Sequence, residues 1–179
     1  MPTTNPPDNT VTPDRLAEMR GQIGATSSPW SVEFEPGAIR RYADAIGDPN
    51  LAYRDAAYAR SLGYADMIAP PVFLGWPAWQ GPDRQATGFE SVRLDSPLKR
   101  HVTGGTEWRY ERPILAGERL TAVAELVDVY VKQGRPGVGQ MLFQIIDTRY
   151  ADANGALVVT TRYTDITFQG DIAQEEQHG

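Results

Sequence analysis

The sequence contains no cysteine and only two histidines, His101 and His178. Without cysteine the chain has no disulfide, thiolate metal site or cysteine nucleophile, and we expect a cytoplasmic location. Two histidines are too few for a typical zinc site. Because His178 lies next to the C-terminal residue, any mechanism that needs a histidine must use His101 or take one from another chain.

The chain also lacks a surplus of positive charge and a long apolar run. Its formal net charge of -6 provides no broad basic surface for nucleic acid. No run of about 18 apolar residues is present, which excludes a transmembrane helix. Neither the G-x-x-x-x-G-K-[ST] nor the G-x-G-x-x-G pattern of phosphate-binding loops occurs, so no metal or redox cofactor is expected.

The length of 179 residues and an apolar share of 41% fit one domain with its own core. Residues 1–12 are rich in proline, threonine and asparagine and lack the basic and apolar regions of a signal peptide. We therefore expect a flexible leader over 1–12, one folded domain over 13–169 and a polar tail over 170–179.

Helix signals are concentrated in the first half of the chain. Apolar residues at helical spacing, with stop signals at Gly47 and Gly63, indicate two helices. A third begins at Pro13 with Thr12 as its N-cap. The apolar block from Ile68 to Trp79 predicts a buried helix that Pro77 limits. The predicted elements are helices Pro13–Met19, Pro36–Ile46, Asp55–Leu62 and Ile68–Trp79, and a short strand Ser31–Glu35.

From about Gly104 the pattern changes to the period of two that is typical of strands. Asn154-Gly155 is a strong hairpin signal between the last two. The predicted strands are Thr106–Arg112, Arg119–Lys132, Gly137–Tyr150 and Gly155–Phe168. One strand, a buried helix and then long antiparallel strands predict an α+β chain with a single hot-dog fold, a curved sheet wrapped around a central buried helix. The pattern alone also permits another α+β sheet with a helix on one face.

Residues 47–59 carry the most informative motif. They resemble the MaoC-like (R)-specific hydratase/dehydratase family, whose motif is G-D-x-N-P-[LIV]-H-x-D-x-x-x-A. The matching positions are Gly47, Asp48, Asn50, Asp55 and Ala59. In that family the aspartate and the histidine five residues later form the dyad that holds the water added to, or removed from, an acyl thioester. The corresponding positions here are Asp48 and Tyr53.

The tyrosine at the histidine position affects the expected mechanism. An imidazole with a pKa of ~6.5 exchanges protons near neutral pH, whereas a phenol with a pKa of ~10 does so poorly. Asp48 retains half of the dyad, but an aspartate after a glycine at a helix end also caps turns. We therefore interpret Asp48 as structural and Tyr53 as a residue that packs in a pocket or interface.

Two further stretches, 62–73 and 107–120, resemble the N-terminal-type halves of the same family, so the resemblance covers about residues 31–168. Halves without the dyad are similar to the non-catalytic subunit of heteromeric β-hydroxyacyl-thioester dehydratases. The resemblance implies that a partner chain supplies the dyad, while this chain shapes the acyl tunnel. The expected substrate-binding residues are Asn50, Pro71, Val72, Phe73 and Trp76, with the N–H groups of Val72 and Phe73 directed at the thioester oxygen.

Other interpretations remain open. The chain could be a self-sufficient homo-oligomer in which Asp48 works with Tyr53 or with His101 of a neighbouring copy, or an acyl-thioester-binding protein without activity. A hot-dog thioesterase is disfavoured, because Pro71–Trp79 contains no Asp, Glu or His.

The thioester would be carried on CoA or acyl carrier protein. Five basic residues are candidates for contacts with carrier phosphates, with a solvated surface as the alternative: Arg93, Lys99, Arg100, Lys132 and Arg135.

Overall fold

The computed structural model describes residues 9–73, 76–77 and 88–170. Its helices are α1 (Pro13–Arg20), α2 (Pro36–Ala45) and α3 (Ala56–Ser61), with short 3-10 helices at Leu51–Tyr53 and Gly88–Ser91. Its strands are β1 (Trp30–Glu33), β2 (Trp76–Pro77), β3 (Arg100–Tyr110), β4 (Arg119–Gln133), β5 (Gln140–Ala151) and β6 (Leu157–Phe168). None of the helices in these ranges is long and apolar enough to cross a bilayer.

The six strands form one antiparallel sheet in the order β2-β1-β4-β5-β6-β3. The register shifts between Leu126 and Asp128 in β4 and between Thr103 and Gly105 in β3. Such bulges bend and twist a strand, so the long strands curl. The curled antiparallel sheet with few helices confirms the predicted single hot-dog fold.

One face of the sheet forms the core. Along β5, Leu142, Gln144, Ile146 and Thr148 are buried, and the residues between them are only partly buried. The even positions of β4 from Leu120 to Leu126 are likewise buried. Helix α2 adds Ala38, Ile39 and Ala43 to the same apolar cluster. The inner face of the sheet and the buried side of α2 therefore share one core.

The structure confirms the predicted N-terminal end of α1 and the predicted C-terminal ends of α2 and α3. Thr12 caps α1, since its hydroxyl accepts a hydrogen bond from the Arg15 N–H at 3.2 Å. Gly47 and Gly63 follow α2 and α3 with φ values of 67° and 92°. This left-handed backbone ends a helix without the steric cost that a side chain would add. These local signals depend on neighbouring residues alone, which explains why the sequence identifies them.

The predicted helix Ile68–Trp79 is wrong where the structure describes it. Ile68 forms an isolated bridge with Leu115, Val72 lies in a turn, and Trp76–Pro77 pairs with β1 as strand β2. The three prolines at 70, 71 and 77 provide the physical reason, because proline disfavours helical backbone at the preceding residue and lacks the N–H that a helix interior needs. Residues 74–75 and 78–87 lie outside the described residues.

The expected leader and tail fall mostly outside the described residues. The end of the leader nevertheless contacts the domain. Val11 is buried, its N–H donates to Gln140 Oε1 at 2.8 Å, and its carbonyl accepts from Gln140 Nε2 at 3.2 Å. The folded unit therefore includes residues before position 13.

Candidate active site

A cavity of about 330 Å³ lies between the 3-10 helix Leu51–Tyr53, the segment 68–71 and the end of β3. Tyr53, which occupies the position of the dyad histidine of the MaoC-like motif, is one of the residues that line it. Its walls are formed by Tyr53, Ile68, Ala69, Pro71, Tyr110, Glu111, Arg112, Pro113 and Ile114. Most of these side chains are apolar or aromatic, as is common for sites that bind small molecules.

Asp48 and Asn50 hold the turn that leads to Tyr53. Asp48 Oδ1 accepts a hydrogen bond from the Asn50 N–H at 2.9 Å, and Asn50 Oδ1 accepts one from the Ala52 N–H at 3.0 Å. Arg54 adds bonds to the Asp48 carbonyl oxygen at 2.5 Å and to Asp44 at 2.7 Å. Neither Asp48 nor Asn50 lines the cavity. The Asp48 carboxylate thus has the turn-capping contact that the structural interpretation expects.

Asp55, which also matches the motif, caps α3. Its Oδ1 accepts hydrogen bonds from the N–H groups of Tyr58 and Ala57. Both backbone bonds lower the pKa of the Asp55 carboxyl below its ordinary value, and the bond from Tyr58 has the larger effect. The matched aspartates therefore fix the backbone around Tyr53.

Tyr53 is 7% exposed and belongs to the core cluster, while part of its ring faces the cavity. Its hydroxyl has no hydrogen-bond partner among the described residues. A phenol without a neighbouring base has no group to which it can pass a proton. This position fits packing in a pocket, as the sequence interpretation holds.

The predicted substrate-binding residues at 71–76 are divided among three places. Pro71 lines the cavity. Phe73 lies in the core, where its ring packs against Phe34 at 5.9 Å and Tyr42 at 5.0 Å between centroids. The backbone of Trp76 is in β2, and its side chain lies outside the described residues.

Val72 has a φ of 64°, which is unusual for a β-branched residue. Its N–H donates to the Tyr110 hydroxyl at 3.0 Å, and the Phe73 N–H donates to the Pro70 carbonyl at 3.2 Å. Both predicted oxyanion donors thus have partners within the chain. Their role toward a thioester stays a prediction, and it requires Tyr110 to release the Val72 N–H.

Tyr110 is the cavity residue that sequence reasoning missed. Burial raises the pKa of its hydroxyl, and the bond from Val72 opposes that shift. The available signal was its position at the end of a strand, inside the stretch 107–120 that carries the family resemblance. The neighbouring Arg112 binds Glu118 at 2.9 Å and Asp152 at 3.4 Å, which fixes the cavity rim.

His101 lies in β3 rather than in the loop before it, because β3 begins at Arg100 and not near Thr106. Its Nε2 is 2.5 Å from Oδ1 of Asp165. Tyr110 is nine positions further along the chain, which corresponds to roughly 30 Å along a strand. His101 is thus far from the cavity of its own chain.

The basic residues suggested for carrier phosphates do not line the cavity. Lys132 Nζ lies 5.2 Å and 5.3 Å from the ring centroids of Tyr130 and Phe143 on the outer face of the sheet, and Arg93 lies 3.7 Å from Asp165. Within the described residues, no group of three histidines and acidic residues is arranged to hold a metal ion.

The family model of the FAS1-like dehydratase domain region matches residues 21–161. This chain belongs to that dehydratase family. A UPF0336 protein of Thermobifida fusca is 37% identical over 157 residues, which cover 87% of this chain and 97% of the relative. Another from Streptomyces griseus is 37% identical over 145 residues, with 77% and 87% covered.

Solved structures of similar fold include hydratase and dehydratase chains. A MaoC-like dehydratase superposes with a TM-score of 0.67 at 25% identity, over 83% of this chain and 43% of the other. The ChsH1-ChsH2 complex of Mycobacterium tuberculosis gives 0.63 at 22%, with 87% and 90% covered. The HadBC (3R)-hydroxyacyl-ACP dehydratase complex of the same organism gives 0.60 at 18%, with 81% and 96% covered. The resemblance to the MaoC-like family is confirmed.

Proposed function

We propose that this chain is one subunit of a 2-enoyl/3-hydroxyacyl thioester hydratase/dehydratase, whose partner hot-dog chain supplies the aspartate and histidine of the dyad. In this proposal the present chain shapes the tunnel for the acyl group. The substrate is carried on CoA or acyl carrier protein. Dehydratase chemistry in general follows from the family, and the division of roles between two chains is the proposal.

The position of Tyr53 carries the proposal. This residue stands where the family has its histidine, and it is buried in the cavity wall with no hydrogen bond from its hydroxyl to a base among the described residues. The other dyad position, Asp48, has one carboxylate oxygen committed to the Asn50 N–H and lies outside the cavity lining. The cavity thus has largely apolar walls that suit an acyl chain, and the residues that line it include Glu111 but neither Asp48 nor a histidine.

The exposed edge of the sheet supports a partner chain. Strand β3 has one neighbour, β6, in the described sheet, and its residues from Arg100 to Glu107 are exposed. Among the described residues, the outer edge of β3 from residue 101 to residue 110 is not covered by another strand, and the N–H and C=O groups of such an edge pair readily with a further strand. The ChsH1-ChsH2 and HadBC structures are complexes of two different chains, which is consistent with a hot-dog partner here.

Hydration of crotonyl-CoA and of a longer 2-enoyl-CoA, followed by the absorbance of the conjugated thioester, tests the proposal. The purified chain alone should show no turnover. Activity should appear when a hot-dog chain with the complete aspartate and histidine motif is added. Turnover by the lone chain would contradict the proposal, and binding of the thioester without turnover in either sample would favour a binding protein.

The variant Asp48→Asn separates this proposal from a self-sufficient enzyme. The amide oxygen of asparagine can still accept the Asn50 N–H, so the turn should persist. In the assembled complex the variant should therefore keep the activity of the native complex. A self-sufficient enzyme that depends on Asp48 would instead lose at least 10²-fold in rate, the scale of general acid–base catalysis.

A further inference from the structure

The sheet contains a second pair of titratable side chains, remote from the Tyr53 cavity. Asp165 on β6 is completely buried, and its Oδ1 accepts the bond from His101 Nε2 at 2.5 Å. Its other oxygen, Oδ2, has no partner among the described residues. The side chain of His101 is 43% exposed. A buried carboxylate therefore orients an imidazole whose remaining nitrogen can reach the surface.

The surroundings of Asp165 hold this pair in place. Arg93 Nη1 lies 3.7 Å from the same Oδ1, and it comes from the segment 92–99 that precedes β3. That segment is attached to the sheet by two bonds between Leu94 and the Gln144 amide, at 2.7 Å and 3.0 Å. The carboxylate of Asp165 on β6 thus meets both the imidazole of His101 and the guanidinium of Arg93.

Stability alone does not explain a buried carboxylate at this position. Burying a carboxylate removes it from water at a cost in free energy, and well-packed apolar residues often replace buried ion pairs without loss of stability. With Asp165 ionised, Nε2 of His101 donates to it, and the neutral imidazole then leaves Nδ1 as an acceptor. An oriented, accessible imidazole of this kind is a general base.

The position of the pair indicates where such a base would act. Thr167 lies opposite His101 and Val159 lies opposite Tyr110 in the β3–β6 register, so both residues face the inner side of the sheet at opposite ends of β3. If β3 pairs antiparallel with the edge strand of a second hot dog, the beginning of one strand meets the end of the other. In a pairing centred on the middle of β3, His101 lies beside the position that corresponds to Tyr110 in the partner, a residue that lines the cavity in the present chain.

We infer that His101, oriented by Asp165, is a proton-transferring residue that this chain contributes to the active site of its partner. The inference rests on the proposed function. In hydration, the partner's dyad holds the water, Nδ1 of His101 takes the proton that this water loses as its oxygen bonds to the β-carbon of the 2-enoyl thioester, and the dyad histidine of the partner gives a proton to the α-carbon. Water is thereby added, and proton exchange with solvent restores both groups. Dehydration follows the reverse transfers.

The test uses the assembled complex with His101→Gln. The glutamine Nε2 can replace the imidazole Nε2 as donor to Asp165, so the buried carboxylate keeps its partner and the fold is preserved. We expect kcat to fall by about 10²-fold with unchanged assembly, and one ionisation to disappear from the pH–rate profile. In a second variant, His101→Ala, added imidazole should restore part of the rate. Val102→Thr, next in sequence on the opposite face, is the matched control and should keep the native rate.

Three results would overturn the inference. In the first, His101→Gln retains the native kcat and pH profile in an active complex, which leaves the proposed function intact. In the second, both His101 variants fail to assemble, which makes the pair structural. In the third, the native complex itself is inactive toward 2-enoyl thioesters, which overturns the proposed function as well.

Discussion

At Tyr110 a single hydroxyl connects the sheet to the segment that closes the cavity. It accepts the N–H of Val72, whose φ of 64° is unfavourable for a β-branched residue. The bond joins β3 to a turn in which two consecutive prolines, Pro70 and Pro71, supply no N–H of their own. This bond adds to the Ile68–Leu115 bridge and to the bond from the Ala69 N–H to the Ile114 carbonyl, which also hold this wall of the cavity.

We expect Tyr110→Phe to reduce the free energy of unfolding by about 0.5–1 kcal/mol. The loss should lie at the low end for a hydrogen bond, because Val72 is 47% exposed and water can replace the acceptor. Urea denaturation measures the change. Tyr130→Phe is the control, since the Tyr130 hydroxyl has no hydrogen-bond partner in the described part of the chain. Equal stability of the two variants would show that the Tyr110 bond contributes nothing.

At the scale of elements, the bulge in β3 depends on a glycine. A Cβ added at Gly104 would lie 2.6 Å from Cδ1 of Ile166 and 2.8 Å from Cγ2 of Thr164. The φ of Gly104 lies outside the left-handed region, so crowding is the main obstacle to a side chain. The glycine lets Ile166 lie across the strand and remain 9% exposed.

Gly104→Ala should therefore destabilise the chain by about 1 kcal/mol, the lower end for overpacking, because the crowded atoms are side-chain ends. Ile166→Val removes the crowded Cδ1, so the double variant should be more stable than the sum of the two single effects predicts. Denaturation of the four proteins in this cycle measures the coupling. Simple additivity would mean that Gly104 and Ile166 do not compete for the same space.

The elements that sequence reasoning identified are those with local signals. Thr12, Gly47 and Gly63 mark helix ends through bonds and backbone angles within a few residues, and all three are confirmed. The helix prediction for 68–79 is wrong at the described residues 68–73 and 76–77, because a continuous apolar run fits a buried helix and a buried strand equally well. Its pairing with β1 and Leu115 involves residues more than 40 positions away.

In the candidate site, too, residues with a local sequence signal were predicted and residues placed by long-range contacts were not. The motif at 47–59 identified Tyr53, and the family resemblance identified Pro71, both of which line the cavity. Tyr110 and the His101–Asp165 pair were not assigned, since their contacts join β3 to Val72 and to β6 across 38 and 64 positions. Sheet register brings these groups together, and no local pattern encodes it.

At the scale of the whole molecule, β3 forms one edge of the described sheet, and it is the strand through which the proposed partner would pair. In an antiparallel sheet about half of the N–H groups of an edge strand point away from its single neighbour. In the described sheet these groups of β3 face outward, whereas β5 lies between β4 and β6 and has both edges paired. The two strands should thus respond differently when a partner chain binds.

Amide hydrogen exchange tests this difference. In the lone chain at low concentration, peptides from β3 should exchange quickly at about half of their amides, and peptides from β5 should be protected. Addition of a motif-complete hot-dog partner should protect β3 and leave β5 unchanged. Protection that appears with concentration alone, without a second kind of chain, would instead show that copies of this chain pair through β3. Protection of any other strand with β3 still exchanging would place the interface elsewhere, and His101 could then not reach the partner's cavity by this route.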